Sequence, residues 1–265
     1  MCIYKRMNLV IDIGNTRAKL FVFDGKSIVE QVFCDSDTLY ALDQLIQKYT
    51  FEQGIVSSVG RIGKEAEQRL NSLPFSITRL SNRTELPFKL QYKPLGSEAC
   101  VPMPPTMGAD RIAALIGSIS LHPGSPLLIV DAGTCVTYEV IDDESVYRGG
   151  NIAPGLTMRL NAMHEHTALL PLVCTEGETP NLGFDTETAM RSGATLGLQY
   201  EIEGYIEYWK QRYPGLRAVI TGGNTLTFNK KYEHLIEREN NLVAIGLNAI
   251  ISPKNTENIS NNNEK

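Results

Sequence analysis

The sequence predicts an α/β protein made of two similar halves, and three observations carry that expectation. Short runs of apolar β-formers alternate with segments whose apolar residues recur every three or four positions, the pattern of strands layered against helices. The run "LVIDIGNTRAKLFVFDG" at residues 9–25 and the run "PLLIVDAGTCVTYEVIDD" at 126–143 share one design: an apolar strand ending in Asp-x-Gly, a hydroxyl residue, a second apolar strand and an acidic turn. At 265 residues the chain is long enough to give each copy a core of its own. The repeat puts a boundary near residues 122–124, with halves over residues 1–122 and 123–254. The remaining "NTENISNNNEK", residues 255–265, is polar and reads as a disordered tail.

In the first half, strands are expected at residues 9–13, 20–23 and 55–58. "SDTLYALDQLIQKY" has helical spacing, with Leu39, Leu42, Leu45 and Ile46 on one face and Asp37 near the cap. Prolines at 87, 94, 102, 104 and 105 forbid a long regular element over residues 86–107, which read as a shaped loop. "GADRIAALIGSISL" follows, with Ile112, Leu115, Ile116 and Ile119 at helical spacing until "HPG" ends the run. Beyond the second hairpin, "IAPGLTMRLNAMHEHTALLP" and "DTETAMRSGATLGLQYEIEGYIEYWKQRY" both read as helices. "RAVITGGN" reads as a buried strand entering a Gly-Gly turn, and "LVAIGLNAII" as a closing helix with close backbone contacts at Gly246.

Composition narrows the function classes. Lys and Arg number 25 against 30 Asp and Glu, a net charge of −5, with no basic run, so nucleic acid is not an expected partner. No stretch is long and apolar enough for a membrane span, and "MCIYKRMNLV" runs directly into a strand, unlike a signal peptide; a cytoplasmic protein is expected. The 5 cysteines are scattered without a CxxC pair, which favours reduced thiols.

The repeated hairpins carry the chemistry. A glycine at position 14 leaves room for backbone N–H groups and the Thr16 hydroxyl to converge on an anion. Asp12 beside them would repel a phosphate unless a divalent cation lay between, so the motif points to Mg²⁺ and phosphate together. There is no GxxxxGK[ST] and no GxGxxG after a strand, which argues against a P-loop or a dinucleotide fold. Asp110, at the start of its helix, would be kept ionised by the helix dipole and is chemically suited to take a proton from an acceptor hydroxyl. Arg111 beside it could hold a substrate carboxylate. "HEH" at residues 164–166 does not favour zinc, since residues two apart do not share a helix face and no third ligand is evident. Gly193 and Gly197 in the long helix permit close packing, either in a core or at a dimer interface.

Two Asp-Gly hairpins and a Gly-Gly turn resemble the nucleotide site of the actin, Hsp70 and sugar kinase superfamily, whose two ribonuclease H-like domains surround a nucleotide cleft. Within it, the ordered series "DIGNTRAK", "GADR", "DAGT", "GGNIAPG", "DTETAMRSG" and "TGGN", spread from Asp12 to Asn224, is similar to type III pantothenate kinases. The resemblance implies ATP-dependent phosphorylation of pantothenate. It implies that Asp12, Ile13, Gly14, Asn15, Thr16, Arg17, Ala18 and Lys19 bind the ATP phosphates, with Thr134 assisting and Gly222 and Gly223 near the adenosine. It further implies a monovalent cation, K⁺ or NH₄⁺, at Asp131, and Mg²⁺ near Asp12 through phosphate or water. Gly108, Ala109, Asp110 and Arg111 would meet pantothenate, Asp110 as the base, and Thr186 would reach it across a homodimer interface. One position departs from the family pattern: Val101 stands where a Tyr is usual, seven residues before Gly108, and Tyr92 upstream is a candidate replacement. The alternatives are a kinase of the same superfamily with another small acceptor, and a non-catalytic regulatory protein on this scaffold.

Overall fold

Alternation between apolar runs and tight turns shapes both sheets. The computed structural model describes residues 7–14, 17–81, 83–87 and 90–252. Asn15, Thr16 and the expected tail lie outside the described residues. β1 (Met7–Ile13) buries Leu9, Val10 and Ile11 completely and pairs antiparallel with β2 (Ala18–Asp24), from Asn8 opposite Phe23 to Ile13 opposite Ala18. β2 turns at Gly25 into β3 (Ser27–Cys34), again antiparallel. α1 (Ala41–Lys48) then leads to β4 (Phe51–Ser58), parallel to β1, and α2 (Lys64–Asn71) leads to β5 (Ser76–Arg79), parallel to β4. The strand order is β3-β2-β1-β4-β5.

After the short β6 (Gln91–Tyr92) and α3 (Ala109–Leu121), the plan is repeated. β7 (Leu127–Ala132), β8 (Cys135–Ile141) and β9 (Val146–Pro154) form an antiparallel meander. α4 (Leu156–Glu165) and α5 (Thr186–Arg212) lead to β10 (Arg217–Thr221), parallel to β7. α6 (Lys230–Glu233) leads to β11 (Ile236–Arg238), parallel to β10, and α7 (Leu242–Ile251) follows. Within the order β11-β10-β7-β8-β9-β6, the run β9-β8-β7-β10-β11 matches the first sheet strand for strand and direction for direction. The repeat in the two hairpins therefore extends through both sheets.

The chain forms two compact units. One gathers the described parts of Met1–Lys89, Pro104–Ser120 and Val243–Lys265; the other gathers Leu90–Met103 and Leu121–Leu242. In the first, Leu9, Ile11, Leu20, Val22, Leu42, Leu45 and Leu70 make one core. α7 is tied to the same sheet by polar bonds: Asn248 Nδ2 donates to Gly25 O at 2.8 Å, and Asn248 Oδ1 accepts from Asn8 Nδ2 at 2.9 Å. α3 and α7 touch backbone to backbone at Gly246, where any Cβ would lie 1.8 Å from Ala113 O. In the second unit, Leu128, Val130, Tyr138, Leu160, Leu198, Ile202 and Ile220 form the core.

Two expected elements differ. α1 begins at Ala41, not near Asp37, because Asp35 Oδ1 accepts from the N–H groups of Asp37 and Thr38, each at 3.0 Å. That local turn, followed by Leu39 at φ 51°, delays the helix. The segment expected as one helix from Ile152 divides: Ile152, Ala153 and Pro154 complete β9, the helix covers only α4, and residues 166–185 are irregular. α5 starts where its sequence suggests, because Asp185 Oδ1 accepts from Thr188 N at 2.8 Å while Thr188 Oγ1 accepts from Asp185 N at 3.2 Å. Among the described residues, no helix is long and apolar enough to cross a membrane.

Candidate functional site

In the first unit, the end of β1 and the start of α3 bring charges together. Asp12 is the penultimate residue of β1, and its cross-strand partner on β2 is Lys19. Burial pushes the Asp12 carboxyl up to about 6; Lys19 pulls it down and the charge of Asp110 adds to the rise. Asp110 lies in the first turn of α3, where its Oδ1 accepts from Arg111 N at 2.9 Å. The helix opens at Gly108, whose carbonyl accepts from Ile112 N at 3.1 Å, so Gly108, Ala109, Asp110 and Arg111 form one entry turn.

Gly14 N donates to Arg17 O at 3.2 Å, which closes the hairpin between the buried residues Ile13 and Ala18. The Arg17 guanidinium lies 4.5 Å from the centroid of the Phe33 ring and is otherwise exposed. Among the described residues, no three His, Cys, Asp or Glu side chains gather as a metal site. Mg²⁺ commonly binds one or two carboxylates and completes its shell with phosphate oxygens and water. A desolvated Asp12 with a second carboxylate in electrostatic reach fits a cation held in that way.

In the second unit, three motifs distant in sequence converge. Asp131 is the penultimate residue of β7, in register with Thr221 on β10. The hairpin after it is closed by Gly133 N donating to Cys135 O at 3.0 Å, and Gly155 N, at the head of α4, donates to Thr134 O at 3.1 Å. Asn224 N donates to Ala132 O and Asn224 Nδ2 donates to Gly133 O, both at 3.0 Å. Gly222 makes this contact possible: its φ is +98°, and a Cβ there would lie 2.4 to 2.6 Å from the Ala132 backbone. Beyond the turn lies a groove of about 540 Å³, lined by Gly222, Gly223, Asn224, Leu226, Arg238 and Asn240. Arg238 and Asn240 carry no motif signal; only the pairing of β11 with β10 brings them to the groove.

The other expected residues are dispersed. Thr186 is exposed in the first turn of α5. Val101 N donates to Tyr92 O at 2.8 Å, so these two residues form an antiparallel bridge and present side chains on the same face. His164 has Nδ1 2.8 Å from Leu170 O, and His166 is the exposed cap of α4. Gly193, Gly197 and Gly204 of α5 have no atom within 4 Å of the position a Cβ would take, so these glycines are not in a core. Tyr200 and Tyr208 are also exposed on α5, and Leu182 and Phe184 ahead of it are 87% and 72% exposed.

A family model for type III pantothenate kinase matches residues 8–208. A type III pantothenate kinase from Bacteroides fragilis (strain YCH46) is 42% identical over 249 residues, covering 94% of this chain and 99% of the relative. One from Christiangramia forsetii is 34% identical over 253 residues, covering 95% and 100%. Among solved structures, a protein described as a Baf family transcriptional activator from Campylobacter jejuni is similar with a TM-score of 0.55 and 19% identity, over 92% of this chain and 96% of that one. A protein described as a 2-dehydro-3-deoxygalactonokinase from Sinorhizobium meliloti is similar with a TM-score of 0.50 and 12% identity, over 92% and 97%. These structural likenesses concern the fold, which is the actin, Hsp70 and sugar kinase type, with the same sheet plan used twice.

Proposed function

The chain belongs to the type III pantothenate kinase family, and from that premise we propose how its residues carry out ATP-dependent phosphorylation of pantothenate, the first step towards coenzyme A. The pantothenate hydroxyl oxygen attacks the γ-phosphorus, the bond to the β-phosphate oxygen breaks, and ADP leaves. Asp110 takes the hydroxyl proton as the new O–P bond forms, a role suited to a carboxylate at a helix start. Arg111, with the entry turn of Gly108 and Ala109, holds the pantothenate carboxylate. Tyr92, paired with Val101, supplies the aromatic contact on the acceptor side.

Residues 12–19 hold the ATP phosphates through backbone N–H groups, the Thr16 hydroxyl and the cations of Arg17 and Lys19. Thr134 assists, and Gly222 and Gly223 flank the adenosine. Asp12 would hold Mg²⁺ through phosphate oxygens or water, and Asp131 a monovalent cation, K⁺ or NH₄⁺; such cations neutralise triphosphate charge that the chain's own few cations leave unbalanced. The enzyme is a cytoplasmic homodimer in this reading. The α5 face of Gly193, Gly197, Tyr200 and Tyr208, with the exposed Leu182 and Phe184, supports a second copy as its cover. In the assembled dimer, Thr186 meets the partner's pantothenate.

The observation that carries the reading is that the start of α3 brings Asp110, a base candidate, within electrostatic reach of the buried, cation-seeking Asp12 at the end of β1. Steady-state kinetics of Asp110→Asn tests it. Turnover should fall by roughly 10² to 10⁴-fold while ATP affinity stays the same. Unchanged turnover removes Asp110 from the chemistry.

A further inference from the structure

The groove beyond the Gly222 turn contains a planar cation with a fixed seat. Arg238 is the last residue of β11, in parallel register with Ile220, which stands two positions before Gly222. Glu239 N donates to Ile220 O at 3.0 Å, so the backbone next to Arg238 is anchored to the strand that enters the turn. The guanidinium carbon lies 5.2 Å from the centroid of the Phe228 ring, and Nη2 donates to the Leu226 carbonyl. The guanidinium is thus held over an aromatic ring with one N–H committed to a backbone acceptor, while the side chain remains exposed along the groove.

We propose that Arg238 is the residue that holds the nucleotide base, its guanidinium, seated over the Phe228 ring, stacking against the purine of ATP. The inference rests on the reading of the Gly222 turn as the adenosine side of the site. Three properties favour a base over a phosphate as the ligand of this arginine. A guanidinium held over one ring and open to the groove is placed to meet a second flat ring, and bases stack readily on arginine. The groove, at about 540 Å³, is of a size that suits a small organic ligand. Asn240, also on the groove, offers an amide that can both donate to and accept from a base edge.

Equilibrium binding by calorimetry, with Mg²⁺ present, tests the assignment on the full chain and on Arg238→Lys and Arg238→Ala. The ligands are ATP and inorganic tripolyphosphate, which carries the charge without the base. Wild type should prefer ATP, and both variants should lose about tenfold in ATP affinity while keeping their affinity for tripolyphosphate. Retained tripolyphosphate binding also shows that the variants are folded. An equal loss for both ligands would make Arg238 a simple charge and overturn the proposal, as would unchanged ATP binding in both variants. A wild type that does not distinguish ATP from tripolyphosphate would overturn the adenosine reading of the turn itself, and the proposal with it.

Discussion

Asp110, in the first turn of α3, lies close enough to Asp12, at the end of β1, for its charge to help raise the Asp12 carboxyl. Two carboxylates that repel one another are costly unless a proton or a cation comes between them. A kinase that binds a metal–triphosphate complex supplies that cation with its substrate. In the proposed reading, the repulsion costs the protein stability without its ligand and is relieved when a metal–triphosphate complex arrives.

A pH dependence follows. The Asp12 carboxyl is held at about 6 against an ordinary 3.8, so the folded chain keeps a proton that the unfolded chain releases. Stability should fall as pH rises from about 4 to about 6 and level off above, since the unfolded state binds fewer protons in that window. Asp12→Asn removes this loss and should be more stable than wild type near pH 7 by on the order of 3 kcal/mol. Near pH 3.5 the two should match. Urea titrations at both pH values measure the difference, and a constant gap would show that Asp12 does not titrate in this way.

Gly222→Ala should damage the second unit. The added methyl would lie 2.4 to 2.6 Å from the Ala132 backbone, and a φ of +98° strains any residue with a Cβ. A loss of roughly 1 to 3 kcal/mol is expected, read as a lower denaturation midpoint and accompanied by weaker ATP binding. Wild-type stability would mean that the turn can move away from the hairpin.

Gly197→Arg tests whether α5 faces a second copy. Nothing lies within 4 Å of the position a Cβ would take there, so the protomer should fold, and an arginine is about 1 kcal/mol better than glycine inside a helix. If α5 faces a second copy, sedimentation should show monomers, and if Thr186 reaches the partner's site as proposed, activity should fall with the dimer. A dimer of normal activity would place the interface elsewhere.

Tyr92→Ala should raise the KM for pantothenate several-fold and leave the KM for ATP unchanged. Steady-state kinetics with each substrate varied in turn makes the distinction. Equal effects on both would mean that Tyr92 acts through the fold, as its ring contact with Tyr147 at 5.1 Å allows.

Much of this architecture is legible in local sequence. Each Asp-Gly hairpin announces itself because Asp-x-Gly between two apolar runs is a complete local instruction, and α3 follows from Ile112, Leu115, Ile116 and Ile119 at helical spacing. β9 is hidden, because Gly149 and Gly150 interrupt the strand pattern and its last residues run without a break towards α4. The start of α1 is decided by a side-chain bond from Asp35 that competes with helix capping. The return of α7 to the first sheet through Asn248, and the arrival of Arg238 at the Gly222 turn, depend on pairing between distant segments. No local pattern encodes such a partner.

The measurement that tests the account most directly is the formation of phosphorylated pantothenate by the purified protein from ATP and Mg²⁺, with and without K⁺, alongside Asp110→Asn. The account predicts product from wild type, more of it with K⁺, and almost none from the variant. A protein that binds ATP yet leaves pantothenate unphosphorylated, or a variant as fast as wild type, would contradict it.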